Sequence, residues 1–199
     1  MRVVDVIFSL MVGRFIAFLF SDFLGEWGIK LGIYYSLILW VAFPFISLFC
    51  LWIAYIIGRK FLFIFQAAKH FLVGAFATVI DLKIFVLSLW FFSLFLSLSP
   101  MILKGASFLI STSIKYWGNK YWAFGRHEKE NIKEEIVHFF YITAVGLIID
   151  IIVFYFLTRM LQPQFQLSAA NWVKLSVIFA ATAAALWNFL GYKFIVFKK

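Results

Sequence analysis

The sequence predicts an all-α membrane protein. Hydrophobic residues make up 65% of the 199 residues, charged residues make up 14%, and the mean hydropathy is +0.99. A soluble fold of this length cannot cover so much apolar surface, because too few polar residues remain to face water. Several stretches without charge are also long enough to cross about 30 Å of hydrocarbon as helices.

Five membrane crossings follow from these stretches. The clearest is residues 33–57, which contain no charged residue and carry Pro44 near their middle. The next helix is predicted to begin near Lys69, to include the uncharged run 84–103 and to meet a turn at Ser99–Pro100. The remaining segments are a crossing over 102–124, a polar loop over 119–133, a crossing over 136–157, a polar loop over 159–174 and a crossing over 175–197.

Residues 3–24 are apolar but include Asp5 near their start and Arg14 at their centre. An arginine at the centre of a span costs about 2.5–3.5 kcal/mol, which roughly ten leucine, isoleucine, phenylalanine and valine residues at about −0.5 kcal/mol each can offset. The two charges and the lack of a small-residue cleavage site argue against a cleaved signal peptide. This segment therefore either crosses the membrane or lies at its interface as an amphipathic helix.

The basic residues cluster on one side of this arrangement. Three clusters flank the predicted crossings: Arg59, Lys60 and Lys69; Lys120, Arg126, Lys129 and Lys133; and Lys193, Lys198 and Lys199. The positive-inside rule places all three in the cytoplasm. We therefore expect an integral protein of a prokaryotic cytoplasmic membrane, with six crossings and both termini cytoplasmic. The alternative is an external, interfacial first helix followed by five crossings.

Composition and motifs exclude several classes of protein. The formal net charge is +9, and in a membrane protein this favours anionic lipids, rather than nucleic acid, as partners. The single cysteine, Cys50, cannot form an internal disulfide, and the three histidines lie in no metal-binding motif. The chain contains no GxxxxGK[ST], GxSxG, HExxH or GxGxxG sequence. We expect no metal, no cofactor and no enzymatic activity.

An internal repeat organises the second two-thirds of the chain. Residues 70–81 resemble residues 139–150 at an offset of 69, and both copies end in an aspartate. Residues 115–124 resemble residues 188–197 at an offset of 73, with glycine and lysine at matching positions. Each copy holds two crossings, so both copies are predicted to enter the membrane in the same sense.

The predicted domain organisation follows from this repeat. We expect residues 67–199 to form a four-helix core of two repeated two-span units, 68–125 and 137–199, in parallel orientation. Residues 1–66 are expected to form an N-terminal helical extension of one or two spans, which would be a helical hairpin if both segments cross.

The repeated motifs resemble those of the GtrA-like family of small membrane proteins. The first span of that family follows an F-x-x-V-G…D pattern, similar to Phe71–Asp81, and its second span ends in N-x-x-x-N-[RK]-x-[WF]-x-F, similar to Lys115–Phe124. Its last span ends in N-F-x-x-x-[RK]-x-[WF]-x-F, similar to Asn188–Phe197. Three positions depart from these patterns: Lys115, Tyr192 and Ile195. The resemblance covers about residues 68–199.

The resemblance implies a role in cell-surface polysaccharide synthesis. Members of the family are associated with moving or handling polyprenyl-phosphate-linked sugars, and similar four-span modules accompany polyprenyl-phosphate sugar synthases. The implied function is a flippase or carrier, for which a homo-oligomer would enlarge the small cavity of so few helices. The alternative is a non-catalytic accessory or anchoring subunit of a membrane glycosyltransferase. An enzyme acting on the lipid phosphate ranks last, because such enzymes usually need carboxylates clustered around Mg²⁺.

Four polar residues are predicted to lie near mid-membrane. Asp81 and Asp150 lie about 12 and 13 residues from the cytoplasmic ends of their helices, and Lys115 and Asn188 lie about 10 residues in, which puts all four roughly 15–20 Å deep. Charges at that depth normally have a partner inside the bundle. We expect an Asp81–Lys115 pair and an Asp150–Asn188 hydrogen bond, which either join helices or form a polar track for a sugar.

Four further residues are candidates for binding a lipid phosphate at the cytoplasmic interface. They are Asn119, Lys120, Arg126 and Lys193. Lysine and arginine bind lipid phosphate, and the tyrosine, tryptophan and phenylalanine residues around them could hold the prenyl chain or the sugar face. The alternative is that they are positive-inside anchors within an aromatic belt.

Overall fold

The computed structural model describes residues 1–26, 32–95, 100–127, 131–161, 163–164 and 169–198. All regular secondary structure in these ranges is helical, which confirms the predicted all-α class. The chain divides into two compact units, Met1–Gly125 and Arg126–Lys199. The predicted division into residues 1–66 and 67–199 stays a prediction, as do the repeat boundaries.

The helices follow the apolar stretches. The first unit contains α1 (Val3–Glu26), α2 (Ile33–Gly58), α3 (Leu62–Phe95) and α4 (Pro100–Trp117), which continues as a π-helical turn over Gly118–Ala123. The second unit contains α5 (Ile132–Tyr155), continued by a π-helical turn over Phe156–Met160, and α6 (Ala169–Gly191), continued by a π-helical turn over Tyr192–Val196.

Four helical segments in the described part are long and apolar enough to cross a membrane. They are Ile33–Gly58, Leu62–Phe92, Ile132–Met160 and Leu175–Val196. The protein is therefore an integral membrane protein. Helices α1 and α4, which would complete six crossings, are not among these four segments, so their crossing stays a prediction. Helix α3 begins at Leu62, seven residues before the predicted start near Lys69. Ser99, Lys129 and residues 165–168 lie outside the described residues.

Contacts in the first unit define the directions of α1, α2 and α3. Ser9 Oγ lies 3.1 Å from Ser47 Oγ, and a Cβ atom on Gly13 would lie 2.6 Å from Cα of Pro44, so α1 and α2 run antiparallel in close contact. Glycine at position 13 permits this approach because it has no Cβ.

Helices α1 and α3 run in the same direction. Asp5 near the start of α1 contacts Lys69 near the start of α3, and the Lys83 ammonium lies 3.9 Å from the Phe18 ring centroid further along both helices. A core cluster of Leu51, Val73 and Trp122 joins α2, α3 and the turn after α4. The N-terminal extension is thus packed along the first hairpin.

The second unit is an antiparallel hairpin of α5 and α6. Near one end, Ile142 packs against Gly191, and near the other the Trp172 indole Nε1–H donates to the Leu157 carbonyl at 2.9 Å. Helix α5 starts after Asn131, whose φ of 56° lies in the left-handed region that asparagine tolerates better than most residues. Two glutamates in the first turn of α5 stabilise its positive N-terminal end.

Candidate functional site

The hairpins α3–α4 and α5–α6 close in the same way at the ends that precede Phe124 and Phe197. A Cβ atom on Gly118 would lie 2.9 Å from Val73 Cγ1, and the repeat-related Gly191 packs against Ile142. Only a residue without a side chain lets the helices approach so closely. The glycine recognised in the repeated motif therefore marks a tight helix contact in each unit.

A π-helical turn follows each of these contacts. The Phe124 N–H donates to the Asn119 carbonyl at 2.9 Å, and the Phe197 N–H donates to the Tyr192 carbonyl at 2.7 Å. Each bond spans five residues rather than four, which widens the last turn of the helix. Such turns are rare and occur frequently at functional sites. Both turns belong to the sequence motifs that carried the internal repeat.

The residues beside the two turns differ in chemistry. In the first unit the His70 imidazole Nδ1–H donates to Asn119 Oδ1 at 2.8 Å, and both side chains are buried. At the equivalent positions of the second unit, the Phe139 and Tyr192 rings stack with centroids 4.4 Å apart. Asn119, a predicted phosphate contact, is therefore buried in the first unit and bonded to His70, and its contact with a phosphate stays a prediction.

A pocket of about 240 Å³ lies beside the π-helical turn of the second unit. We call it the Arg126 pocket, and its lining residues are Arg126, Asn131, Glu134, Glu135, His138, Ile195, Val196, Phe197 and Lys198. The Arg126 guanidinium is oriented by its Nε–H, which donates to the Phe197 carbonyl at 3.1 Å. Arg126 is the one predicted phosphate contact that lines this pocket.

The Arg126 pocket combines both signs of charge. Arg126 and Lys198 supply cations, and Glu134 and Glu135 supply carboxylates from the first turn of α5. His138, one turn further on, presents two ring nitrogens. Cations bind phosphate, and carboxylates accept hydrogen bonds from hydroxyl groups. The pocket can therefore accommodate a ligand that carries a phosphate and several hydroxyl groups.

Lys120 and Lys193 are related by the repeat but have different environments. Lys120 is fully buried, with 0% of its surface exposed, and its Nζ donates to the Tyr116 hydroxyl at 3.4 Å. Lys120 is therefore part of the buried interior of the first unit, and its contact with a lipid phosphate stays a prediction. Lys193 is only partly buried, and its ammonium lies 5.6 Å from the Phe194 ring centroid and 5.9 Å from that of Phe189.

Lys115, the predicted partner of Asp81, is not the residue that Asp81 contacts, so that prediction is wrong. The Asp81 carboxylate accepts a hydrogen bond from Ser107 Oγ at 2.7 Å and pairs with the Lys104 ammonium. Lys115 lies 11 residues beyond Lys104, or about 16 Å further along α4 at 1.5 Å per residue. The prediction assumed that equal distances from the helix ends give equal heights, but the packing of Val73 on Gly118 sets another register.

The second predicted polar contact does not form either. Asn188 is 6% exposed, and in the part of the chain that the structure describes its Nδ2 donates no hydrogen bond to the Asp150 carboxylate and its Oδ1 accepts none. The amide instead packs against Gly146, where a Cβ atom would lie 2.9 Å from the Asn188 Cγ. Asp150 is partly buried on the same helix as Gly146, one turn further along α5. Lys115, the remaining residue of the four predicted near mid-membrane, contacts Asn119 through its backbone: its carbonyl accepts a hydrogen bond from Asn119 Nδ2 at 2.8 Å.

Sequence reasoning missed a buried ion pair in the first unit. Lys69 Nζ lies 2.6 Å from Asp5 Oδ1, and the two side chains are 4% and 1% exposed. The Trp122 Nε1–H donates to the same carboxylate at 2.9 Å, and the Arg2 backbone N–H donates to Asp5 Oδ2 at 2.7 Å. We call Asp5, Lys69 and Trp122 the Asp5 cluster. The available signal was an aspartate in an apolar segment, which needs a partner wherever it is buried.

Metal-binding chemistry is not indicated by the described residues. They contain no group of three or more histidine, cysteine, aspartate or glutamate side chains placed to hold a metal ion. The two glutamates and the histidine of the Arg126 pocket therefore form no such group.

Comparison with known proteins gives one result. The model of a protein family described as GtrA/DPMS, transmembrane domain, matches residues 69–197, which is well over half of the chain. No significant match exists among curated proteins or among solved structures. The matched range contains both hairpins except the first seven residues of α3, both repeat-related glycine contacts, and the Arg126 pocket except for Lys198.

Proposed function

The chain belongs to the GtrA/DPMS family, and we propose that it binds a polyprenyl-phosphate-linked sugar and moves it across the membrane. The proposal joins the function implied by the family resemblance to the chemistry of the Arg126 pocket. Arg126 is the observation that carries it, because this guanidinium lines a polar pocket at the end of a hairpin made of two apolar helices. Arginine can bind a phosphate through two parallel hydrogen bonds, whereas lysine acts as a point charge.

The remaining polar residues of the pocket suit a sugar. Glu134 and Glu135 accept hydrogen bonds from hydroxyl groups, and Asn131 and His138 can donate or accept them. Lys198 adds a second cation for the phosphate. A ligand with a phosphate at one point and hydroxyl groups around it would use both signs of charge in the pocket.

Lys193 extends the proposed site towards the lipid. Its ammonium lies near the rings of Phe189 and Phe194, and Phe194 is exposed. An exposed ring beside a partly buried cation suits the junction between a lipid phosphate and the first part of a prenyl chain. In this proposal Lys120 and Asn119 support the first hairpin and do not touch the lipid.

Transport is proposed rather than catalysis because the family resemblance implies a flippase or carrier. Of the aspartates, Asp81 is engaged by Lys104 and Ser107, and Asp5 is engaged by Lys69 and Trp122. We further propose that both termini and the Arg126 pocket face the cytoplasm, that anionic lipids surround the protein, and that copies associate into a homo-oligomer.

The direct test is translocation by the purified protein. Proteoliposomes containing the full chain should move a radiolabelled polyprenyl-phosphate sugar between leaflets faster than protein-free liposomes. Arg126→Ala should remove most of this activity, and Arg126→Lys should retain part of it. Lys133→Ala is the matched control, because Lys133 is an exposed cation at the start of α5 that does not line the pocket.

Two outcomes would contradict the proposal. Equal rates with and without the wild-type protein would reject translocation and favour an accessory or anchoring role beside a membrane glycosyltransferase. Equal loss in Arg126→Ala and Lys133→Ala would reject the pocket as the headgroup site. Melting temperatures in detergent should be measured for both variants, so that a loss of activity is not confused with a loss of fold.

A further inference from the structure

Asp150 lies far from both ends of a segment that is apolar enough to cross the membrane. It belongs to Ile132–Met160 and lies ten residues before the last residue of that segment. At 1.5 Å per residue, this puts it about 15 Å from one end of the segment and about 27 Å from the other. Carboxyl groups at such depth are costly, and they normally either pair with another group or take part in the movement of ions and protons.

The internal repeat offers a direct comparison, because Asp150 is the counterpart of Asp81 at an offset of 69. In the first hairpin, the Asp81 carboxylate pairs with the Lys104 ammonium and accepts a hydrogen bond from Ser107 Oγ at 2.7 Å. The first aspartate of the repeat is therefore held by a cation and a hydroxyl group from the neighbouring helix.

Neither partner has an equivalent in the second hairpin. At the offset of 73 that relates α4 to α6, Val177 stands at the position of the lysine and Ala180 at that of the serine. In the part of the chain that the structure describes, Asp150 makes no hydrogen bond and no ion pair. The repeat thus keeps the aspartate in the second hairpin and replaces both of its partners with apolar residues.

The helix contacts support these offsets. Val73 packs against Gly118 and Ile142 packs against Gly191, and each contact lies eight residues before the aspartate of its own helix. The two glycines are themselves 73 residues apart. Because α4 and α6 are continuous over the residues compared, the same offset extends back to the positions of the lysine and the serine.

In the second unit, α6 carries no charged residue at the level of Asp150. The residues of α6 there, 177–184, are alanine, valine, isoleucine, phenylalanine and threonine. The titratable residues of α6 and its π-helical turn are Lys174, Tyr192 and Lys193, and the others of α5 and its turn are Lys133, Glu134, Glu135, His138, Tyr141, Tyr155 and Arg159. Along α5 the nearest charged residue is Arg159, nine residues or about 14 Å away.

Polar groups continue from Asp150 towards the Arg126 pocket. Asn188 packs against Gly146, four residues before Asp150, and its buried Oδ1 accepts no hydrogen bond from the described residues. The Thr143 hydroxyl, seven residues before Asp150, lies 2.6 Å from a tyrosine hydroxyl of the turn after α6. Residues spaced by three and four lie on one face of a helix. The face of α5 that contacts α6 therefore carries polar groups from the membrane interior to the end that forms the pocket.

We propose that Asp150 binds a proton inside the membrane, and that the lipid headgroup passes along the α5–α6 hairpin only while this carboxyl group is protonated. The inference rests on the proposed function and adds a condition for transport. An ionised Asp150 would repel the anionic lipid phosphate, because like charges interact strongly where little water is present. Protonation removes this repulsion and provides an O–H group that can donate to a sugar or phosphate oxygen.

The first experiment detects the bound proton without requiring transport. Dicyclohexylcarbodiimide is an apolar reagent that reacts with protonated carboxyl groups in membranes. The carboxyl proton moves to a carbodiimide nitrogen, the carboxylate oxygen bonds to the central carbon, and a rearrangement leaves a stable N-acylurea. Mass spectrometry of the full chain, labelled in liposomes, should find this adduct on Asp150, with a yield that falls as the pH is raised.

The same experiment contains its own comparison. Asp81 is paired with Lys104 and should remain largely unlabelled. Absence of the adduct on Asp150 at every pH would overturn the inference, and so would equal labelling of both aspartates.

The second experiment measures translocation as a function of pH. The substrate is a sugar joined to the polyprenyl chain by a phosphodiester, whose single charge does not change near neutral pH. The wild-type protein should move it about tenfold faster when Asp150 is protonated than when it is ionised. Asp150→Asn has the same size and no charge, so it should stay fast and lose the part of the pH dependence that Asp150 causes. Asp150→Glu should keep that dependence.

A matched control uses the first hairpin. Asp81→Asn/Lys104→Met removes the counterpart ion pair without leaving a charge unpaired, and it should keep the wild-type pH profile. Wild-type translocation with the same pH profile as Asp150→Asn would overturn the inference and leave the proposed function intact. Equal rates with and without the wild-type protein would instead reject the proposed function, whatever the labelling shows.

Discussion

His70 Nδ1 lies 2.8 Å from Asn119 Oδ1 in the first hairpin, and the equivalent residues of the second hairpin, Phe139 and Tyr192, stack with ring centroids 4.4 Å apart. The same helix contact is thus made by a buried hydrogen bond in one repeat and by aromatic packing in the other. Both solutions satisfy the rule that a buried polar group needs a partner, because the buried Tyr192 hydroxyl of the second contact lies 2.6 Å from Thr143 Oγ1.

The first prediction concerns this exchange. Asn119→Ala should lower the free energy of unfolding by about 1–3 kcal/mol, because it removes the acceptor of a buried imidazole N–H. The double variant His70→Phe/Asn119→Tyr, which copies the second repeat, should be more stable than the sum of the two single changes predicts. A double-mutant cycle measured by unfolding in detergent should give a coupling of about 0.5–3 kcal/mol. Additive single changes would show that the two residues do not interact.

The second prediction concerns the glycine contacts. Gly191→Ala should lower the free energy of unfolding by about 1–3 kcal/mol, because the added methyl group overlaps Ile142. Gly105→Ala is the control, since a Cβ there meets nothing within 4 Å. It should be neutral or stabilise α4 by up to about 1 kcal/mol through higher helix propensity. The opposite order of stability would mean that the α5–α6 contact is looser than described.

The third prediction separates the two candidate partners of Asp81. A cycle with Asp81→Asn and Lys104→Met should show a coupling of about 0.5–3 kcal/mol in the free energy of unfolding, because the two groups are in contact. A cycle with Asp81→Asn and Lys115→Met should show none, since the residues lie far apart along the helices. Strong coupling to Lys115 would contradict the register of α3 against α4.

The fourth prediction contrasts the repeat-related lysines. Lys193→Ala should weaken polyprenyl-phosphate binding while changing stability little, because the side chain is only partly buried. Lys120→Ala should instead lower the melting temperature, because it empties a fully buried position. Lys193→Arg should retain most of the binding if a point charge suffices. Lipid binding and melting temperature should be measured on the same samples. If Lys193→Ala and Lys120→Ala changed both quantities in the same way, the contrast would be contradicted.

The fifth prediction concerns membrane topology. In a Cys50→Ser background, a cysteine placed at His127 should react with a membrane-impermeant reagent only after the cytoplasmic side is opened. This follows from the positive-inside rule and from the exposure of that position. A cysteine at Tyr34, which is exposed at the start of α2, should react from the outside. Labelling of position 127 in intact cells would show that the orientation in the membrane is the opposite of the predicted one.

The helices and the repeat were predictable because they depend on local properties of the chain. An uncharged run such as 33–57 has to be helical in hydrocarbon, where every backbone group needs an internal partner. The structure places α2 at Ile33–Gly58, one residue from that prediction. Gly118 and Gly191 were visible as matched positions, although their role in close helix contact was not.

The contents of the candidate site were only partly predictable. Arg126 was selected from the sequence and lines the polar pocket. Glu134, Glu135 and His138 were given no role from the sequence. These side chains lie near Phe197 because α6 returns along α5. No local sequence pattern specifies how the two helices are aligned.

By itself, the sequence determined that this is a helical membrane protein with two related hairpins, because hydropathy and motif spacing are properties of the chain in order. Tertiary structure alone decided the partners: Asp81 with Lys104, and Asp5 with Lys69, which are 64 residues apart. Distance from a helix end sets the depth of a side chain but neither its rotation about the helix nor the register between helices. Those are set where small residues such as Gly118 let neighbouring helices interlock, and they decide which buried charges meet.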